Sequence, residues 1–166
     1  MSRGFVNEDD QEEIPIVPPR ADLPTGVTNY VTQVGLDKLL AEQQALINEK
    51  EQLDIDSENE KRIAINHINV KLNLLNERIS TAVVVDLTKQ KQDEVRFGAT
   101  VSLKIGSDPK QHRYQIVGVD EADFKTKKIS FLSPIAKVLI GRKVGEKAVL
   151  KLATEERVFE VLEISY

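Results

Sequence analysis

The sequence has no cysteine, no tryptophan and only two histidines, His67 and His112. Without cysteine it has no disulfide framework, no thiolate zinc site and no cysteine nucleophile. Two histidines also argue against a multi-histidine metal centre. No uninterrupted apolar run approaches the roughly 20 residues that cross a bilayer. The opening Met1-Ser2-Arg3-Gly4 leads into acidic sequence, unlike a signal peptide. These absences predict a cytoplasmic protein with no membrane partner. What remains is 166 residues, 40% hydrophobic and 30% charged, with a net charge of −4. That is enough apolar material for a core, in one domain or two small ones.

Charge and chain-breaking residues divide the sequence. Residues 1–29 carry six acids (Glu8, Asp9, Asp10, Glu12, Glu13, Asp22) against Arg3 and Arg20, and four of the six prolines. This composition predicts a flexible acidic leader, either simply solvated or a short docking strand. Ile14-Pro15-Ile16-Val17-Pro18-Pro19 suggests extended chain within it. From Leu36 to Phe97 there is neither glycine nor proline, whereas both return at short intervals from Gly98. The middle therefore reads as helix and the end as short strands with turns.

In the middle, Leu36, Leu39, Leu40, Leu46, Ile47 and Leu53 follow three- and four-residue steps, interrupted at Gln43 and Lys50. Ile65, Ile68, Leu72, Leu75, Ile79 and Ala82 continue the pattern in a second arm. Thr32 is placed to cap the first arm, and Ser57 the second with Glu60 at the capping-box position. The spacing predicts an antiparallel coiled-coil hairpin over 30–88, projecting roughly 30–35 Å. Its turn is expected at residues 54–60.

That turn is the most acidic part of the hairpin. Glu49, Glu51, Asp54, Asp56, Glu58 and Glu60 place six of the middle region's ten acids within twelve residues. Such a run serves either as a solvated helix end, with acids favouring the helix dipole, or as ligands for a hard cation. Mg²⁺ takes a few carboxylates together with waters and phosphates and does not require a full protein cage. A protruding acidic tip is therefore able to complete a metal site in another macromolecule.

From Val95 the pattern becomes alternating. Val101, Leu103 and Ile105 open a series of short strands that continues at 114–117, 129–132, 149–152 and 158–164. Ser133, Pro134 and Gly141 frame one short helix. The expected fold class is α+β: the helical hairpin, then a small antiparallel β-sheet domain with one short helix over 93–166. Lys125, Lys127, Lys128, Lys137, Arg142, Lys143 and Lys147 form a loose basic cluster. It reads as a solvated mixed-charge surface or a weak electrostatic approach to DNA or RNA. With few interleaved aromatics it is not a stacking platform.

The run Phe97-Gly98-Ala99-Thr100-Val101, then Tyr114-Gln115-Ile116-Val117-Gly118, Asp120-Glu121-Ala122-Asp123, Ser133-Pro134-Ile135-Ala136, Leu139-Ile140-Gly141 and Val144-Gly145, resembles the C-terminal domain of the bacterial Gre transcript-cleavage factors (GreA/GreB). Tyr30-Val31-Thr32 followed by a hairpin is similar to their N-terminal coiled coil. The resemblance implies an FKBP-like end domain docked at the rim of the RNA polymerase secondary channel, with the hairpin entering the channel. In the family, an acidic pair in an Asp-Leu-x-Glu-Asn tip helps hold a second Mg²⁺ and position water that cleaves backtracked RNA.

The tip here reads Asp54-Ile55-Asp56-Ser57-Glu58-Asn59, one residue longer than that motif before Glu-Asn. Asp54 or Asp56 is the candidate first acid and Glu58 the second. The hairpin is also about one heptad per arm shorter than the family's, or roughly 10 Å of reach. The resemblance thus implies catalytic and Mg²⁺-sharing roles for Asp54, Asp56 and Glu58, exerted in trans in the polymerase active site. By the same resemblance, the chain alone is expected to bind no cofactor and to meet the nascent RNA 3′ end only indirectly.

Asp120, Asp123, Ser133, Pro134 and Ile135 are the candidate polymerase-binding residues. Turn and capping chemistry explains the same residues. The chain is expected to be monomeric and not itself an enzyme. The leading alternative is a Gre-like channel-binding regulator or inhibitor without cleavage activity. A prolyl isomerase needs an aromatic-lined pocket, which 5% aromatics supplies poorly. A coiled-coil scaffold for an unrelated partner is the remaining option.

Overall fold

A computed structural model describes residues 14–166. The acids Glu8, Asp9, Asp10, Glu12 and Glu13, which dominate the expected leader, lie outside the described residues. A two-residue strand β1 (Tyr30–Val31) leads into helix α1 (Gln33–Glu51). Helix α2 (Glu58–Thr81) returns, and strand β2 (Val83–Val84) pairs with β1 in parallel. The end domain then follows as β3 (Thr100–Ile105), β4 (Gln111–Val117), β5 (Lys128–Ser130), α3 (Pro134–Leu139), β6 (Lys147–Lys151) and β7 (Glu156–Ser165).

The hairpin forms where the chain lacks helix breakers. Leu39, Leu46, Ile68 and Leu75 are its buried seam, with Leu53, Leu72 and Ile79 packed against them. Gln43 and Lys50, which interrupt the apolar pattern, are bonded across the hairpin. Gln43 Nε2 donates to Asn76 Oδ1 at 2.6 Å, and Lys50 Nζ donates to Asn69 Oδ1 at 2.9 Å. Both pairs span one heptad and run in opposite chain directions, so this polar ladder selects the antiparallel register. Leu40, expected in the seam, is exposed instead. The 3.6-residue helix rotates it off the stripe that Leu39 and Leu46 define. Ala82 lies beyond α2 as its C-cap. The turn occupies 52–57, and Glu58–Glu60 are already helical.

The end domain is a five-stranded sheet in the order β5-β4-β3-β7-β6. All pairs are antiparallel except β4–β5, which is parallel. The core lies between the sheet and α3, built on Val101, Leu103, Ile116, Leu139, Phe159 and Val161. Ser133 Oγ accepts from Ala136 N at 3.3 Å and Pro134 opens α3, as the cap spacing predicts. The hairpin and sheet have separate cores, and α1 and α2 pack on each other rather than on the sheet. No helix among the described residues is long and apolar enough to cross a membrane.

Residues 20–29 differ from the expected flexible leader. Arg20 pairs with Glu42 on α1 and with Asp120 in the end domain. Asn29 is buried and its Nδ2 donates to the Arg78 carbonyl at 3.0 Å. The physical reason is specific pairing: two side chains find partners that mean composition does not register.

Candidate functional site

The acidic tip is built by two helix ends. α1 closes with Gln52 N donating to Asn48 O at 3.0 Å. Ser57 Oγ accepts from Glu60 N at 3.3 Å and starts α2. Glu58 and Glu60 then sit in the first turn, where the helix dipole favours negative charge. Leu53 packs onto the hairpin seam and anchors the loop, while Asp54, Asp56 and Glu58 are all exposed. No group of three or more His, Cys, Asp or Glu among the described residues is placed to hold a metal ion. The tip presents exposed carboxylates that are not gathered into such a group.

The opposite end of the hairpin joins the sheet. Thr32 Oγ1 accepts from Gly35 N at 2.9 Å, capping α1, and donates to Glu121 Oε2 at 2.5 Å. Glu121, with a side chain only 3% exposed, also receives Lys128 Nζ at 3.0 Å. Its charge is compensated by that ammonium and by the helix N-terminus. Two glycines permit this approach. A Cβ on Gly35 would lie 2.7 Å from Glu121 Oε2, and one on Gly118 would lie 2.5 Å from the Tyr30 carbonyl oxygen. Tyr30, Phe97 and Phe131 meet in tilted and edge-to-face pairs at the same junction, with ring centroids 5.6–5.9 Å apart.

Because the Gly118 neighbour is backbone, Gly118→Ala must displace β1. The expected cost is about 1–3 kcal/mol. The amides of Val83 and Val85, which donate to Asn29 O and Val31 O, should then exchange faster with solvent. Hydrogen exchange followed residue by residue checks this.

The five docking candidates separate in space and environment. Asp120 has a side chain only 6% exposed, with Oδ1 receiving Arg20 Nε at 3.0 Å and Oδ2 lying 3.6 Å from Arg78 Nε. It is engaged inside the molecule. Asp123 is exposed, and its Oδ1 accepts from Lys125 N at 3.0 Å. Ser133 caps α3, Pro134 is exposed at the first turn, and Ile135 packs partly into the sheet core. Pro134 and Asp123 thus remain accessible, whereas Asp120 and Ile135 are committed to structure.

The basic cluster is also divided. Lys128 is paired with Glu121 and Lys143 with Asp93, while Lys127 lies over the Tyr114 and Phe124 rings. His112 is half-buried. Its Nε2 is 2.8 Å from Asp108 Oδ2 and its ring stacks on Tyr114.

Two exposed carboxylates, Asp86 and Asp93, and the half-buried Asp108 are held below the usual carboxylate range. The Thr88 hydroxyl and amide lower Asp86, Lys143 lowers Asp93, and the Lys110 amide with His112 lowers Asp108. A depressed folded-state pKa contributes stability above the unfolded value of about 3.9, lost as pH falls through the folded value. A small acid-side loss of stability is therefore expected below about pH 4. Removing it with Asp93→Asn and Asp108→Asn, measured by urea titration at several pH values, checks the sign.

Residues 89–166 match the family model described as "Transcription elongation factor, GreA/GreB, C-term". The C-terminal domain of this chain is similar to that of the GreA/GreB transcription elongation factors. A GreA transcription elongation factor of Pelobacter propionicus is 41% identical over 92 residues, covering 55% of this chain and 58% of that protein. One from Rhodospirillum rubrum is 44% identical over 92 residues, covering 55% and 59%. The chain thus spans about three fifths of the length of these relatives. Among solved structures, Thermus aquaticus Gfh1 is 20% identical, with 82% of this chain and 97% of that chain covered at a TM-score of 0.41.

The matched domain carries Glu121, Asp120 and Gly118, which meet the hairpin and residues 20–29. Sequence reasoning missed Glu121 as a junction residue, and missed Arg20 and Arg78 altogether. The signal for Glu121 was its place directly after Asp120 in a short turn. Arg20 had no local signal beyond being one of two bases in an acidic segment.

Proposed function

We propose that this chain is a transcription elongation factor that docks on bacterial RNA polymerase at the secondary channel through its GreA/GreB domain. In this reading the hairpin enters the channel. Asp54, Asp56 and Glu58 contribute carboxylates to a Mg²⁺ shared with the polymerase, and backtracked nascent RNA is hydrolysed. The polymerase supplies the active site, so the chain is not an enzyme by itself. It touches the RNA 3′ end only through that site. Asp123 and Pro134 are the accessible members of the docking set, and Ser133 orients Pro134 by capping α3.

One observation carries the reading. The three tip acids are exposed at the end of the hairpin farthest from Thr32, separated from the GreA/GreB domain by helices about 28 and 36 Å long. The experiment is RNA cleavage in a stalled, backtracked complex with cognate polymerase. Release of short 3′ fragments on adding the protein is the expected result, and no shortening of the RNA overturns it.

A second reading has its own support. The family match begins at residue 89 and leaves the hairpin outside it. A channel-binding regulator that does not stimulate cleavage would keep the docking domain and use the hairpin only as an obstruction. It predicts polymerase binding with no fragment release.

A further inference from the structure

We infer that residues 17–29 are a brace that fixes the direction of the hairpin over the GreA/GreB domain, with Arg20 as its pin and positioning residue. Every guanidinium nitrogen of Arg20 is used. Nη1 and Nη2 donate to Glu42 Oε1 and Oε2 at 2.8 and 3.1 Å, and Nε donates to Asp120 Oδ1 at 3.0 Å. One side chain therefore ties α1 to the sheet domain. Hydrogen bonding to Glu42, opposed by burial and reinforced by Asp120, raises its pKa further, so the cation persists.

The brace is also fastened to α2. Arg78 reaches Asp120 from the other side, its Nη2 donates to the Ala21 carbonyl, and its own carbonyl accepts from Asn29. Val17, Pro19 and Arg20 lie in the crease lined by Glu42, Leu74 and Val119.

Leverage gives this geometry its meaning. The other links between hairpin and sheet, among them Thr32 to Glu121, Tyr30 against Gly118 and Arg78 to Asp120, sit at the hairpin base. Links confined to a base resist rotation weakly. Glu42 lies ten residues beyond Thr32, or about 15 Å up the helix. A tie at that height opposes a swing that base contacts permit. A swing of about 20° would carry the tip of a helix of this length sideways by roughly 10 Å. That displacement is far larger than the tolerance of a reacting geometry. Bidentate Arg–carboxylate pairing, here between a largely covered guanidinium and a surface glutamate, is the form of ion pair with the geometric definition for this task.

The test reads direction without reference to activity. The chain has no cysteine, so Glu51→Cys and Lys104→Cys in the full chain accept two spin labels specifically. Pulsed dipolar spectroscopy should give one narrow distance distribution. Arg20→Ala and Glu42→Ala should each broaden it about twofold, with Arg20→Lys intermediate because an ammonium is a point charge without the bidentate fork. Glu42 is on the helix surface, so Glu42→Ala decides the matter if Arg20→Ala melts. Unchanged widths in Glu42→Ala and in folded Arg20→Ala overturn the brace.

The consequence for activity rests on the proposed function. There, both alanine variants should bind polymerase as the parent does and cleave about tenfold more slowly. Broadening together with an inactive parent sinks the functional reading and leaves the brace standing. Unchanged widths with an active parent do the reverse.

Discussion

Replacing Asp54, Asp56 and Glu58 together by Asn, Asn and Gln is expected to abolish stimulated cleavage while polymerase binding persists. These amides keep the size of the side chains and remove their charge. All three positions are exposed, and neither Asp54 nor Asp56 caps a helix, so the fold should tolerate the change. Glu58 adds a favourable charge to the first turn of α2, and losing it costs at most about 1 kcal/mol. The functional loss should be on the order of 100-fold or more, the scale of removing a preorganised group from a water-excluded site. Fragment release in a backtracked complex measures it, with a competition assay for binding alongside. Single substitutions then apportion the roles. If Asp54→Asn is silent and Asp56→Asn is not, the longer tip places its acid one turn position nearer Glu58. Equal cleavage by the triple variant would mean that the acids are a solvated helix end.

Leu75→Ala should produce the largest loss of stability in the hairpin. Leu75 has no exposed surface and sits in the seam with Leu39, Leu46 and Ile68. A two-helix seam has few other apolar groups to close over the gap. The expected cost is about 2–5 kcal/mol. At roughly 2–4 °C per kcal/mol for a chain of this size, the helical transition should fall by about 4–20 °C. Leu40→Ala is the matched control. It removes the same atoms from an exposed position, and the expected change is within about 0.5 kcal/mol. Far-UV circular dichroism followed against temperature reads both. The end domain has its own core around Phe159, so its transition should move less than the hairpin's. If Leu40→Ala costs as much as Leu75→Ala, the seam assignment is wrong.

Much of the hairpin was legible in the sequence because its determinants are local. Thr32 and Ser57 cap their helices as spacing predicts, and the stretch without glycine or proline holds all of α2 and all of α1 beyond its first three residues, which include Gly35. Gln43 and Lys50 looked like defects because a single-helix pattern cannot see the facing asparagines, Asn76 and Asn69. Leu40 was misplaced for a related reason. In an imperfect seam, adjacent leucines both satisfy a three-or-four rule, and only packing selects one. In the end domain, alternation predicted the strands, and the Ser133-Pro134 pair predicted α3. It did not predict that β5 runs parallel to β4, since strand direction is set by the 118–127 connection.

The sequence by itself determined a helical hairpin with an acid-rich turn, a β-rich end domain and the short helix between its strands. Capping, periodicity and chain breaking act within a few residues, so they are readable in one dimension. The tertiary structure alone decided that Asp120 faces inward, that Glu121 is shared by two units, and that Arg20 joins a helix to a sheet. Those outcomes depend on charges separated by 22 and 100 residues meeting at about 3 Å. No local preference encodes such a meeting. It arises only when the glycines at 35 and 118 let the two units close on one another.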